Sequence, residues 1–263
     1  MNQPLAHIHP DAKIGENVKI DAFVTIEADV VIGDGTWIGP NAVIMNGARI
    51  GKNCKIFPGA VISSIPQDLK FDGEETTAEI GDNTTIREYV TFNRGTAAKG
   101  RTVIGTNGLV QSGAHIAHDC IIQNNCIIGT YAALAGECEV DDFAIVSPYS
   151  VAHQFSRIGK HAFIQATGKI SKDVPPFILA GREPLAYFGI NSVGLRRRGF
   201  SVEQINIIQE AYRIIFQKGL NTTNAVAQIE SELEQTAEVK SIVEFVKNSP
   251  RGIIKGMVDK KEE

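Results

Sequence analysis

Reactive chemistry in this 263-residue chain falls to a small set of side chains. Of its six histidines, His115 and His118 share the run QSGAHIAHDC, and His153 stands in VAHQF. His118 is followed by Asp119, and a carboxylate beside an imidazole orients it and raises its basicity, as a general base requires. Three histidines are also the number a catalytic zinc takes while keeping one position open, so acid–base and zinc chemistry both stay in play. His7 and His9 read as surface residues at the start of the chain, and His161, just after Gly159, reads as a structural turn residue. The triplet Arg196 to Arg198 is either a solvated charge run or a set of guanidinium forks suited to a diphosphate or to an acidic protein face.

The elements that must position these groups are set by a repeat. Stepping by six from Ile8 to Ile170 meets 28 positions, of which 24 are Ile, Val, Leu or Phe. Three of the four exceptions, Asp68, Glu74 and Ala98, lie in two gaps, 63–79 and 94–103, after which the phase resumes. The gaps therefore read as loops ejected from a continuous repeat, and such loops usually carry function. A glycine often follows the aliphatic residue, and a small or β-branched one comes four places after it. Six is neither the helical period nor the simple strand period, so a short strand and a tight turn must alternate: the hexapeptide signature of a parallel β-helix. Three units make a triangular coil of 18 residues, and residues 18 apart stack at about 4.8 Å.

This stacking places Gly136 and then Gln154 over His118, with His153 one column aside. A backbone N–H at Gly136, uncovered by a side chain, suits an oxyanion site for the atom on which His118 acts. Cys54, Cys120, Cys126 and Cys138 fall at the small position of the hexad, so they read as buried thiols in a reducing compartment, neither metal ligands nor nucleophiles. Pro175 and Pro176 end the pattern. Beyond a connecting segment, Ser201 and Gln204 form a capping-box pair, and Ile205, Ile208, Tyr212 and Ile215 share one helical face that stops at Gly219. Two more helices are expected around 226–233 and 239–246. The fold class is thus an all-β main domain, a parallel β-helix over 1–190, with a C-terminal α-helical domain over 191–263. Flat prism sides predict a homo-oligomer. A net charge of −4 excludes a whole-protein basic field for nucleic acid. No transmembrane segment or leader is evident in the sequence, which points to a soluble cytoplasmic protein.

Over nearly its whole length the chain resembles the UDP-N-acetylglucosamine O-acyltransferase family of lipid A synthesis. The segments that carry the resemblance are IPQDLKFDGE, IREYVTFNRGT, AHIAHDC, VAHQF, KDVPPFILAGREP and GLRRRGFS. The resemblance implies a left-handed coil, a homotrimer with active sites between neighbouring subunits, and transfer of an (R)-3-hydroxyacyl chain from acyl carrier protein to the glucosamine 3-hydroxyl of UDP-N-acetylglucosamine. It implies no metal and no cofactor beyond the phosphopantetheine of the donor. His118 matches the family's general base, Asp119 its orienting partner and Gly136 the backbone oxyanion donor. Asp68 and Lys70 match positions that hold the sugar and the acyl donor. His115, Gln154, Asn191, Arg197 and Arg198 match nucleotide-side contacts, and His153 a further active-site histidine. Three departures stand out: Glu137 replaces a histidine of many members and is expected to stack near Asp119, Gln165 and Ala166 replace glycines that some members have at the acyl-groove floor, and Val193 replaces an acidic residue. Three readings remain beside this one: a 3-amino sugar acceptor, a γ-carbonic-anhydrase-like zinc lyase, and a scaffold β-helix without catalysis.

Overall fold

The computed structural model describes residues 4–256. From His7 to Ile170 the chain is a succession of strands mostly two residues long, nearly all ending on one of the six-step aliphatic residues. The second residue of each pair points inward and the first outward, as the two-residue alternation of a strand dictates. The strands stack into three parallel sheets, one per side of a triangular prism. The first sheet runs from His7–Ile8 to Lys169–Ile170, the second from Lys13–Ile14 to Arg157–Ile158, and the third from Lys19–Ile20 through Phe163–Ile164. The 18-residue register holds directly: Ile116 pairs with Leu134, and Leu134 with Ala152. Inside, the columns of Ile, Val and Leu are almost wholly shielded from water, each side chain contributing about 1.5–3 kcal/mol of burial.

Most corners turn through a residue with positive φ, three places after the aliphatic one. Asn fills it at 17, 41, 53, 83, 107 and 125, because its short polar side chain tolerates that region best among L residues. Elsewhere the place holds Gly, Phe, Tyr, Glu, Asp, His or Thr, and several of the aromatics stack on the coil above, as Tyr131 does on Tyr149 at 5.7 Å. The small position just after it has its own task. Cys126 Sγ donates to the Asp141 carbonyl at 3.0 Å, Cys120 Sγ to Ala135 at 3.1 Å, and Thr36 Oγ1 to Gly51 at 2.8 Å. The cysteines are buried free thiols, and burial pushes Cys126 up to about 12; they act as hydrogen-bonding counterparts of Ser and Thr.

Both interruptions leave from the corner between the first and second sheets. Pairing of Val61 with Thr91 and of Ile80 with Ile104 leaves 12 and six extra residues in the two coils. The loops are narrower than the sequence suggests, 65–76 and 94–100, because Val61–Ser64, Thr77–Ile80 and Arg101–Ile104 extend as strands and keep pairing. They are tied together: Glu74 Oε1 accepts the Ala97 N–H at 3.0 Å, and Thr76 Oγ1 donates to the Gly95 carbonyl at 2.6 Å.

The prism does not stop at the two prolines. The repeat contracts from 18 residues to 16, so that Val174 bridges Ile158 and Leu179 pairs with Phe163, and Ile178–Gly181 continues the third sheet. Ala186–Ile190 then adds antiparallel to it, and Lys255–Gly256 returns to pair with that strand. Four helices lie between: α1 (Ser192–Arg197), α2 (Val202–Gln217), α3 (Thr222–Glu232) and α4 (Ala237–Lys247). The capping box at Ser201 and Gln204 is formed, and Ile205, Ile208, Tyr212 and Ile215 are buried together. Helix α1, short and with only Leu195 buried, carries too little periodicity to be seen in the sequence. Tyr212 anchors α2 by donating to the Pro176 carbonyl, and Arg157 ties the second sheet to the Asn248 carbonyl beyond α4 at 2.6 Å. Among the described residues no helix is long and apolar enough to cross a membrane.

Candidate active site

His118 opens the turn that follows the strand His115–Ile116, at the corner from which both loops emerge. Its side chain is 10% exposed. Nδ1 lies 2.8 Å from Asp119 Oδ2; a carboxylate there accepts from a protonated Nδ1, which in the neutral ring leaves the lone pair on Nε2. Asp119 is fully buried and is held from the second loop by the Thr96 N–H, the Thr96 hydroxyl and the Lys99 N–H. Neither Thr96 nor Lys99 stands out in the sequence; the signal that could have found them is that the 94–100 loop leaves the corner directly beneath Asp119. From the first loop, Asp68 brings Oδ2 to 3.9 Å from His118 Nε2, and its Oδ1 accepts the Lys70 N–H at 3.0 Å. Lys70 itself and the neighbouring Leu69 are exposed at the loop tip.

One coil above, Gly136 lies against the ring. A Cβ built on it would stand 2.5 Å from His118 Cε1 and 2.6 Å from Nε2, so any side chain here would displace the imidazole. The Gly136 N–H has no acceptor among the described residues, which leaves a donor beside Nε2, the arrangement an oxyanion requires. Glu137 is partly exposed, donates its N–H to the His118 carbonyl at 3.0 Å, and forms no hydrogen bond or ion pair with Asp119. Glu137 thus stands one 18-residue coil above Asp119, whose own carboxylate oxygens are taken by donors from the second loop.

The remaining candidates divide. Gln154 continues the His118 column, and the exposed His153 beside it meets the Gln154 carbonyl through Nδ1 at 2.9 Å. His115 lies on the flat outer side of the first sheet, where Nδ1 meets Thr91 Oγ1 at 2.7 Å; burial, and then the nearby His118, hold its imidazole below the ordinary value. Asn191, Arg197 and Arg198 are not brought to His118. They sit at the corner between the second and third sheets. Asn191 is buried there, capping α1 through Oδ1 and donating to the His161 carbonyl at 3.0 Å. Arg198 rests over the Phe143 ring at 5.1 Å, and burial lowers its guanidinium from the ordinary value. Arg197 and Val193 are exposed on α1. Gln165 and Ala166 lie exposed at the third corner, with the Gln165 amide packed against Gly181.

Residues 173–254 match the family model described as UDP N-acetylglucosamine O-acyltransferase, domain 2, and residues 29–64 match the bacterial transferase hexapeptide model. The chain is 43% identical to the acyl-[acyl-carrier-protein]–UDP-N-acetylglucosamine O-acyltransferase of Thermodesulfovibrio yellowstonii, over 94% of this chain and 96% of that one. The chain belongs to the UDP-N-acetylglucosamine O-acyltransferase family. Among solved structures, the UDP-N-acetylglucosamine acyltransferase of Bacteroides fragilis is similar with a TM-score of 0.96 and 58% identity, covering 97% of this chain and 100% of that one. The Arabidopsis UDP-N-acetylglucosamine acyltransferase aligns with a TM-score of 0.85 and 32% identity, over 97% and 100%. The prism is accordingly a left-handed β-helix followed by a helical domain, and the chain is an acyltransferase. Family membership decides against the zinc-lyase and scaffold readings of the same fold.

Proposed function

We propose that this acyltransferase moves an (R)-3-hydroxyacyl group from acyl carrier protein to the glucosamine 3-hydroxyl of UDP-N-acetylglucosamine, opening lipid A synthesis in the cytoplasm. The observation that carries the mechanism is the contact set of one imidazole: Asp119 on Nδ1, and the bare Gly136 backbone and Asp68 beside Nε2. His118 Nε2 takes the proton of the acceptor hydroxyl as its oxygen attacks the thioester carbonyl carbon. The resulting oxyanion faces the Gly136 N–H. Collapse breaks the carbon–sulfur bond, and the departing phosphopantetheine thiolate takes the proton back from Nε2, so the enzyme returns unchanged. Asp119 holds the ring in the tautomer that starts the cycle, and Asp68, on the acceptor side of Nε2, is placed to hold the sugar. Lys70, Gln154 and His153 line the approach at the same corner.

Asn191, Arg197 and Arg198 occupy another corner of the prism, so their proposed contact with the nucleotide requires a second copy of the chain. That requirement supports the homotrimer, with each site made between neighbours. Guanidinium groups there suit a diphosphate. The test is mass-spectrometric product analysis with UDP-N-acetylglucosamine, a panel of 3-hydroxyacyl carrier proteins and no added metal. A 3-O-acyl product is expected from the wild type, with His118→Ala slower by about 10²- to 10⁴-fold. Equal rates would remove His118 from the mechanism, and product only from the 3-amino analogue would replace the ester by an amide.

A further inference from the structure

The second loop has no evident use in the prism, which turns every other corner with four residues or fewer except at the first loop. Its six extra residues close on Asp119. Thr96 is 7% exposed and Asp119 not at all. The Thr96 hydroxyl meets Asp119 Oδ2 at 2.6 Å, the same oxygen that meets His118 Nδ1 at 2.8 Å. Oδ1 accepts the N–H groups of Thr96 and Lys99 at 3.0 and 3.1 Å. The loop is folded for this: the Gly100 N–H donates to the Thr96 carbonyl at 2.8 Å, and the Ala98 N–H to the Thr96 hydroxyl at 3.2 Å. Both oxygens are therefore pinned, and the carboxylate plane is fixed by the second loop and the His118 ring.

We propose that Thr96 is a positioning residue for catalysis, its hydroxyl fixing Asp119 Oδ2 on the His118 Nδ1–H so that Nε2 points at the acceptor hydroxyl. This rests on the proposed role of His118 as the base. A hydrogen bond between a neutral donor and a carboxylate is strong and directional, and where it is lost the acceptor can rotate toward its other donors. In Thr96→Val the shape is kept and only the hydroxyl is lost; Oδ2 then turns off His118, and the ring loses its fixed tautomer and direction. Substrate contacts are untouched.

The experiment compares wild type, Thr96→Val, Thr96→Ser and His118→Ala as full-length proteins, by steady-state kinetics and by the Nδ1–H proton resonance of His118 in histidine-labelled protein. The expected result is a kcat lower by about 10- to 100-fold in Thr96→Val, a KM within about two-fold of wild type, and an upfield shift or loss of the Nδ1–H signal. Thr96→Ser restores both. A wild-type kcat in Thr96→Val, a fall in activity with an unmoved Nδ1–H, or a failure of Ser to rescue overturns the proposal. Should Thr96→Val not fold, Thr96→Ala carries the same comparison. Full activity in His118→Ala removes the base reading and this role with it; an inactive His118→Ala beside a normal Thr96→Val removes the role of Thr96 alone.

Discussion

Along the catalytic corner, the place in the coil held by Gly136 is occupied in other coils by Ala28, Asn46, His118, Gln154 and Lys172. Only at 136 does the side chain disappear, and only there does an imidazole fill the space from the coil below. The glycine is therefore required by a neighbour and not by its own backbone, since the positive φ belongs to Glu137. Gly136→Ala keeps the backbone N–H but drives a methyl group against Cε1 and Nε2 of His118. The ring must swing off its line to the acceptor, and misplacement by about 1 Å costs on the order of 10²-fold. Gly136→Ala is thus expected to lower kcat by that factor, with binding of UDP-N-acetylglucosamine by calorimetry little changed. A kcat near wild type would show that the ring relaxes without losing its aim. The His118–Asp119–Gly136 set was legible in the sequence because a period of 18 turns sequence separation into height. Thr96 and Lys99 were not legible, since a loop outside the period has no register from which its contacts can be read.

At the scale of elements, the corner between the second and third sheets changes character as it rises. Asn83, Asn107 and Asn125 give way to Phe143, His161 and Phe177, all with positive φ. The His161 ring stacks on Phe143 at 4.9 Å and on Phe177 at 5.6 Å, and Phe200 meets it edge-on at 5.1 Å. This column carries Arg198 on one ring and α1 through the His161 carbonyl and Asn191. Burial, and then Arg198 and Lys160, push His161 down to about 4. A histidine depressed in the folded state binds a proton more readily when unfolded, so its contribution to stability is complete above about pH 6.5 and is lost as pH falls toward about 4. The loss is about 2–3 kcal/mol. His161→Phe keeps a flat ring and cannot protonate. Urea unfolding at pH 7.0, 5.5 and 4.5 (about the window set by these values) is expected to show the wild type losing more stability than His161→Phe. Equal slopes would mean that the column opens to admit the charge. The hexad pattern made the strands, corners and α2 readable. It hid α1 and the strands after the prolines because the contraction from 18 to 16 residues breaks the count while the sheet itself goes on.

For the whole molecule, the prism holds its two groups of proposed site residues on different corners. His118, Asp119, Gly136 and Asp68 share one, and Asn191 and Arg198 the other. A rigid stack of paired strands cannot bend one corner onto another, so a single chain does not complete the proposed site. In the proposed closed ring of identical subunits, each site would take the base from one chain and the guanidinium from its neighbour. Mixed assemblies make this testable. His118→Ala and Arg198→Ala are each expected to be nearly inactive alone. When they are co-unfolded in equal amounts and refolded together, a site is intact only where the base comes from the Arg198→Ala chain and the guanidinium from the His118→Ala chain. Random assembly gives that combination at about one site in four, so activity is expected to return to about a quarter of the wild type. If both groups served the same site from one chain, every site in the mixture would lack one of them and the mixture would stay inactive. Recovery near a quarter therefore reports the shared site directly, and it does so without any assumption about which substrate atoms each residue touches.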